Sequence, residues 1–240
     1  MRAATVAIRA AAPRARVDLV GAAVVPRLVS RTSHSARVAL VAGGALLLPG
    51  DEVRITITVG AGTTLDLQDV GGTVCYGEAA GDGPWSQWTV HITVEAGAQL
   101  RWDGLPLVIA DGARVHRRTV VDVGPGASAV LRETSVLGRS GERGGELRAE
   151  FRAHECCERG ELPLLVEDLR VRGDRPEPGV LGGLRVYDTV TALGFRPSPL
   201  PGIDVLDLDR TGAVARYLGN STHHSPLHGV VETWTRRDQR

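Results

Sequence analysis

Four of the charged side chains in a glycine-rich stretch between Val130 and Phe151 stand out: Glu133, Arg139, Glu142 and Glu146. Glu133 closes the short apolar strand VLRE. Arg139 follows Gly138 at a corner. A turn from Ser140 to Gly145 comes next, in which Glu142 follows Gly141, and Glu146 follows Gly145 where the turn ends. Glycine lets such a turn bend tightly, and carboxylates beside a guanidinium suit a polar junction better than a core. Two readings stand on these residues alone. One is a solvated loop. The other is a buried polar network or hydrophilic passage, because Glu133 continues an apolar strand.

Other residues invite chemistry and carry plainer readings too. Asp51 follows Pro49-Gly50, where turn chemistry alone favours Asp. His223, His224 and His228 lie near the C-terminus and are weak candidates for binding nickel or zinc; a solvated loop with one helical histidine is the plainer account. His154, Cys156 and Cys157 resemble a ligand set. On a strand the adjacent thiols point to opposite faces while His154 and Cys156 share one, and we expect buried, inert cysteines. The chain has no G-x-S-x-G, P-loop, H-E-x-x-H, paired C-x-x-C or dinucleotide fingerprint.

Composition narrows the class. There are 28 basic residues, all Arg, and 28 acidic ones, so the basic footprint of a nucleic-acid binder is missing. Three cysteines are too few for a disulfide scaffold and fit a reducing cytoplasm. The longest apolar run, Val38 to Leu48, is too short to span a bilayer, and arginines interrupt the N-terminus, so neither a membrane span nor a signal peptide is expected.

The elements that must position these residues are mostly strands. Residues 1–30 predict one or two edge strands, with Pro13 and Pro26 confined to edges or strand starts. Ala36 to Leu48 reads as one apolar strand. Val53, Ile55, Ile57 and Val59 alternate with polar residues in the next. A loose repeat follows: Ile55–Val59 leads to Gly62 and Leu65, Val90–Val94 to Gly97 and Leu100, and Thr119–Val123 to Gly126 and Val130. Repeated strand–turn units suggest stacked coils that share a core, with a sandwich as the alternative. Trp85 and Trp88 are expected to clamp the loop from Gly71 to Gly83 onto the sheet. Leu181 to Phe195 suggests a strand with a short helical turn, and Ile203 to Leu218 a hairpin turning at Thr211-Gly212. Ser225-Pro226 is read as a helix start, with Leu227, Val231 and Trp234 on one face.

Taken in order, these motifs resemble the urease accessory protein family UreD, also called UreH. The resemblance rests on Gly43-Gly44 leading to Gly50-Asp51, then on Glu133, Gly138-Arg139 and the pairs Gly141-Glu142 and Gly145-Glu146. Repeated Gly-Ala turns, Trp85, Pro106–Ile109, Pro163–Leu165, Arg216–Gly219 and Trp234 agree with it, so it covers roughly residues 36 to 235. The chain departs from the family around Gln68-Asp69 and at Leu100–Gly104. The resemblance implies an all-β, elongated, β-helix-like stack of strands with about two helices, one of them C-terminal, and a single domain over 1–240. It implies a non-catalytic cytoplasmic scaffold that joins UreF, the GTPase UreG and the urease apoenzyme. Such a scaffold binds no cofactor tightly and passes nickel in transit through a polar tunnel. Carried onto this chain, the candidate lining is Asp51, Glu133, Glu142 and Glu146, with Arg139 as counter-charge. Scattered carboxylates hold an ion weakly enough to let it go.

Two other functions compete. A stand-alone β-solenoid hydrolase or lyase would use Asp/Glu acid–base pairs in an aromatic cleft, and aromatics are only 4% of the chain. A nickel carrier would use the histidines of the tail.

Overall fold

In a computed structural model of the chain, residues 2–78, 81–157 and 160–237 are described. Two sheets face each other. The first runs β14 (Gly160–Arg172), β13 (Glu146–Cys157), β11 (Arg114–Val123), β8 (Ser86–Val94), β5 (Glu52–Val59), β1 (Arg2–Arg9) and β2 (Arg16–Gly21). The second runs β16 (Val205–Asp207), β17 (Gly212–Gly219), β15 (Val186–Leu193), β12 (Ser128–Leu137), β9 (Gln99–Asp103), β6 (Thr64–Asp69), β4 (Ser35–Ala42) and β3 (Val24–Arg31). Short strands β7 (Thr73–Cys75) and β10 (Leu107–Ile109) lie parallel beside the end of β12.

From β4 to β13 the chain alternates between the sheets, and each coil lays a parallel strand beside its predecessor. This is a β-solenoid, closed at both ends by antiparallel strands. The repeat explains it. Ile55 pairs with Val90 and Val90 with Thr119, so the three copies stack in register. Their turns pass through Gly62, Gly97 and Gly126 at φ 64, 63 and 65, a left-handed conformation that glycine adopts without penalty. Leu65 and Leu100 stack on Ala129 rather than Val130. Because strand faces alternate, that one-residue difference turns Val130 outward, where it joins a second apolar cluster.

The core between the sheets is aliphatic, from Ala4 and Val6 through Ile55, Leu65, Ile92 and Leu100 to Leu131 and Leu193. Outside the second sheet, helix α1 (Val230–Arg237) buries Val230, Val231 and Trp234, preceded by Leu227, against Val130, Val190 and Ala215.

Several expectations need correction. The strand read over Ala36 to Leu48 ends at Ala42, because Gly43 tucks against the Ala22 carbonyl and Leu47 turns at φ 56; Leu46 and Leu47 are buried from a loop instead. The N-terminal segment forms three strands, of which β1 is internal, held between β5 and β2. Pro26 does lie on an edge strand, β3. Ser225 does not cap the helix. The chain turns again at Gly229 (φ 78) and the α-helix starts at Val230, while the second helical element is one 3-10 turn, Thr222–His224. The Leu181–Phe195 segment is strand from Val186 with no helix. The hairpin of β16 and β17 is present. Trp85 is held between the guanidinium groups of Arg114 and Arg148, 4.7 and 4.3 Å from its ring centre, and Trp88 packs against the core; residues 79 and 80 of the loop they flank lie outside the described residues.

Candidate functional site

Period-two alternation puts every second residue of a strand between the sheets, and at a few places that residue is charged. On β12, Glu133 takes the inward place after Ala129 and Leu131. On β11, the inward series Val115, Arg117, Thr119, Val121 faces it. Arg117 Nη2 lies 2.7 Å from Glu133 Oε1, and Thr119 Oγ1 donates to the same oxygen at 2.7 Å. The third copy of the repeat thus replaces an aliphatic residue with Thr119, which serves Glu133.

Two further acids point inward on either side. Asp69 ends β6 on the parity of Leu65 and Leu67. It accepts from Trp102 Nε1 at 3.0 Å and from the Leu105 amide at 2.9 Å. Burial pushes its pKa up, against the lowering effect of those hydrogen bonds and of Arg117. Glu167 on β14 forms an ion pair with Arg216 of β17, again between sheets, and Arg216 lies 5.4 Å from the Tyr187 ring centre. Burial, then the Glu167 charge, push the Tyr187 phenol up to about 12, so at neutral pH its proton stays in place.

These acids line successive cavities. The first is walled by Asp69, Trp102, Arg117 and Glu133. The second shares Arg117 and Glu133 with it and adds Glu167 and Tyr187. The third shares Glu167 and Tyr187 with the second and adds Arg216. Among the described residues, the buried Nε atoms of Arg117 and Arg216 have no hydrogen-bond partner, so polar groups interrupt linings that are otherwise largely apolar.

The residues singled out in the sequence are scattered differently. Glu133 alone among them lines this row of cavities. Asp51 accepts from the Leu48 amide at 3.1 Å and sits 3.7 Å from Arg2, a turn-holding role. Glu146 points to the outer face, 3.3 Å from Arg114. Arg139 and Glu142 pair with each other at the Gly138 corner, where Glu142 also accepts from the Arg139 and Asp111 amides. The corner is tight: a Cβ on Gly145 would lie 1.9 Å from the Ala113 carbonyl oxygen. Asp69, Arg117, Glu167 and Arg216 escaped the sequence reading; the available signal was their parity, since each occupies an inward place in its strand.

The Glu142 carboxylate is lowered from 4.5 to about 2, first by the Arg139 side chain and then by the Arg139 amide. A depressed carboxylate stabilises the fold above its unfolded pKa and stops doing so as pH falls through its folded one. The Gly138–Gly145 corner should therefore be firm above pH about 4.5 and loosen toward pH about 2. Amide exchange at Arg139 and Asp111 measures this, and Glu142→Gln should remove the pH dependence.

His228 is occupied. Arg132 Nη1 donates to its Nδ1 at 3.3 Å, so Nε2 carries the proton and donates to the Thr222 carbonyl at 3.1 Å. His223 and His224 are exposed, and none of the three belongs to a ligand cluster among the described residues. The cysteines are free; Cys75 is buried, while Cys156 and Cys157, at the end of β13, are only half-buried, contrary to expectation.

A β-solenoid whose interior carries spaced, cross-paired acids, each engaged by a donor, is built as a framework crossed by ion pairs; Arg117 and Thr119 both hold Oε1 of Glu133. Residues 15–231 match the family described as UreD urease accessory protein. Urease accessory protein UreD 1 of Streptomyces griseus subsp. griseus is 41% identical over 218 residues, covering 89% of this chain and 83% of its own length. Urease accessory protein UreD of Streptomyces avermitilis is 32% identical over 214 residues, 86% and 78% of the two chains, and that of Frankia alni 41% identical over 166 residues, 63% and 55%. The chain belongs to the UreD urease accessory protein family.

Proposed function

We propose that the chain is a non-catalytic scaffold of urease maturation, one domain over 1–240, working in the cytoplasm with UreF, UreG and the urease apoenzyme. In this reading nickel is cargo, not a resident cofactor. It moves between the sheets past Asp69, Glu133 and Glu167. The observation that carries the reading is the shared walls: Arg117 and Glu133 stand between the first two cavities, and Glu167 and Tyr187 between the second and third.

The chemistry supports transit. Ni²⁺ accepts carboxylate oxygen, but isolated carboxylates hold it far more loosely than a closed His/Cys site. Each acid also has a competing partner inside the protein, Trp102, Arg117 or Arg216, which lowers the depth of any single binding step. A passage conducts when its sites are favourable enough to enter and weak enough to leave. No nucleic-acid partner is invoked, and among the described residues no helix is long and apolar enough to cross a membrane.

Co-expression with the urease subunits, UreF and UreG tests the reading. The chain should co-purify with the apoenzyme. Glu133→Gln should lower urease nickel content several-fold while the complex still assembles. A chain that stays separate from the apoenzyme, or normal nickel content with Glu133→Gln, would overturn it.

A further inference from the structure

The outer face of the first sheet carries a second constellation, away from the inter-sheet cavities. Asp122 on β11 points outward between the buried Val121 and Val123. It pairs in register with His154 on β13, and Cys156, two residues on, shares that face. Cys156 in turn pairs with Glu161 at the start of β14. One ligand atom each from Asp122, Cys156 and Glu161 all fall within 4.8 Å of one another. His154 Nδ1 sits 3.3 Å from Asp122 Oδ1; the carboxylate only accepts, so the ring donates and fixes the carboxylate's orientation.

On the neighbouring strands of this face several outward acids meet a base: Glu146 meets Arg114, Glu150 meets His116 and Arg118, and Asp168 meets Arg152. Among the described residues, Asp122 has only His154 as an ionic partner and Glu161 has none. Among the described residues, two carboxylates and a thiol therefore converge without a guanidinium in contact.

We propose that Asp122, Cys156 and Glu161 form a binding site for one thiol-accepting divalent cation of the zinc, cobalt or nickel class, with His154 as a positioning residue. Calcium and magnesium take oxygen sets and have no use for the sulfur. Three protein ligands leave a coordination position open to water, so the bound ion is exchangeable. In the metal-free protein, burial and then the Asp122 and Glu161 charges push the Cys156 thiol up. On binding, the S–H bond gives way to a sulfur–metal bond and the proton leaves to solvent, with no change of oxidation state. The site is independent of the inter-sheet passage and stands whether or not nickel travels there.

Titration of the full chain with Co²⁺ alone reads the site through thiolate-to-cobalt charge-transfer absorption. The wild type, Cys157→Ser and Glu133→Gln should each give a saturable band at one equivalent. Cys156→Ser should lose it, and His154→Gln should weaken binding by about 10- to 100-fold. A second measurement needs no variant: Zn²⁺ added to the unmodified chain should slow alkylation of Cys156 and leave Cys157 unchanged, read by peptide mass mapping. No saturable band in the wild type, a band that survives Cys156→Ser, or equal alkylation of the two thiols would overturn the proposal.

Discussion

Asp188→Ala should cost about 3–5 kcal/mol of folding stability, the loss expected when one partner of a buried ion pair is removed. Asp188 is fully buried and Arg132 is 8% exposed. The guanidinium grips the carboxylate with two bonds, Nε to Oδ1 at 3.0 Å and Nη2 to Oδ2 at 2.8 Å. Thr134 Oγ1 and Ser225 Oγ donate to the same group at 2.8 and 2.5 Å. Ser225 then accepts from the Leu227 amide, so the carboxylate ties β12 and β15 to the segment that leads into α1. Alanine would leave the Arg132 guanidinium with only the longer contacts to Asp103 at 3.5 Å and His228 at 3.3 Å, and would take the shared acceptor from the Thr134 and Ser225 hydroxyls. Denaturant unfolding gives the number, and a loss below about 1 kcal/mol, the worth of an exposed pair, would show that the network carries little. The double variant Arg132→Met/Asp188→Leu removes both charges and should recover most of the loss.

Glu133→Ala is the second large effect, and it separates stability from transit. Arg117 and Glu133 are 12% and 21% exposed at their side chains and cross from one sheet to the other. Loss of Glu133 strands the guanidinium between aliphatic strands, at a cost of about 3 kcal/mol. Arg117→Leu/Glu133→Leu replaces the pair by apolar groups and should regain stability close to wild type. The same double variant should still assemble with its partners yet load urease with far less nickel, because the wall shared by the first two cavities has lost its oxygen ligand. Thermal melts beside metal analysis of the purified urease distinguish the outcomes. Full nickel content in a stable double variant would remove Glu133 from any route.

The relation of sequence to site is clearest at the charged residues. Glu133 was legible because the strand that holds it is regular: Ala129, Leu131 and Glu133 share a parity, so an acid at the end of that series must point where the leucine points. Arg117 and Glu167 obey the same rule on β11 and β14 and were readable in principle. Asp51, Arg139 and Glu142 sit in turns, where parity is lost and composition says only that the chain bends. Their partners are the Leu48, Arg139 and Asp111 amides and Arg2, or each other. Glu146 opens a strand, but its face follows from register with Arg114, a neighbour set by the coil.

By itself the sequence determined the all-β class, the repeated unit of strand, glycine turn and strand, the apolar face of the C-terminal helix and the family resemblance. These are local or periodic properties, fixed by alternation of β-branched residues and by glycine at set intervals. Only the tertiary structure decided which acids meet which bases. Glu133 and Arg117 are 16 residues apart and Glu167 and Arg216 are 49 apart, and each pair touches because two sheets stack with one particular register. The same holds for Asp122, Cys156 and Glu161, which converge across three strands. A one-residue slip would turn every one of these side chains to the opposite face, so the register, summed over the whole core, is what creates both constellations.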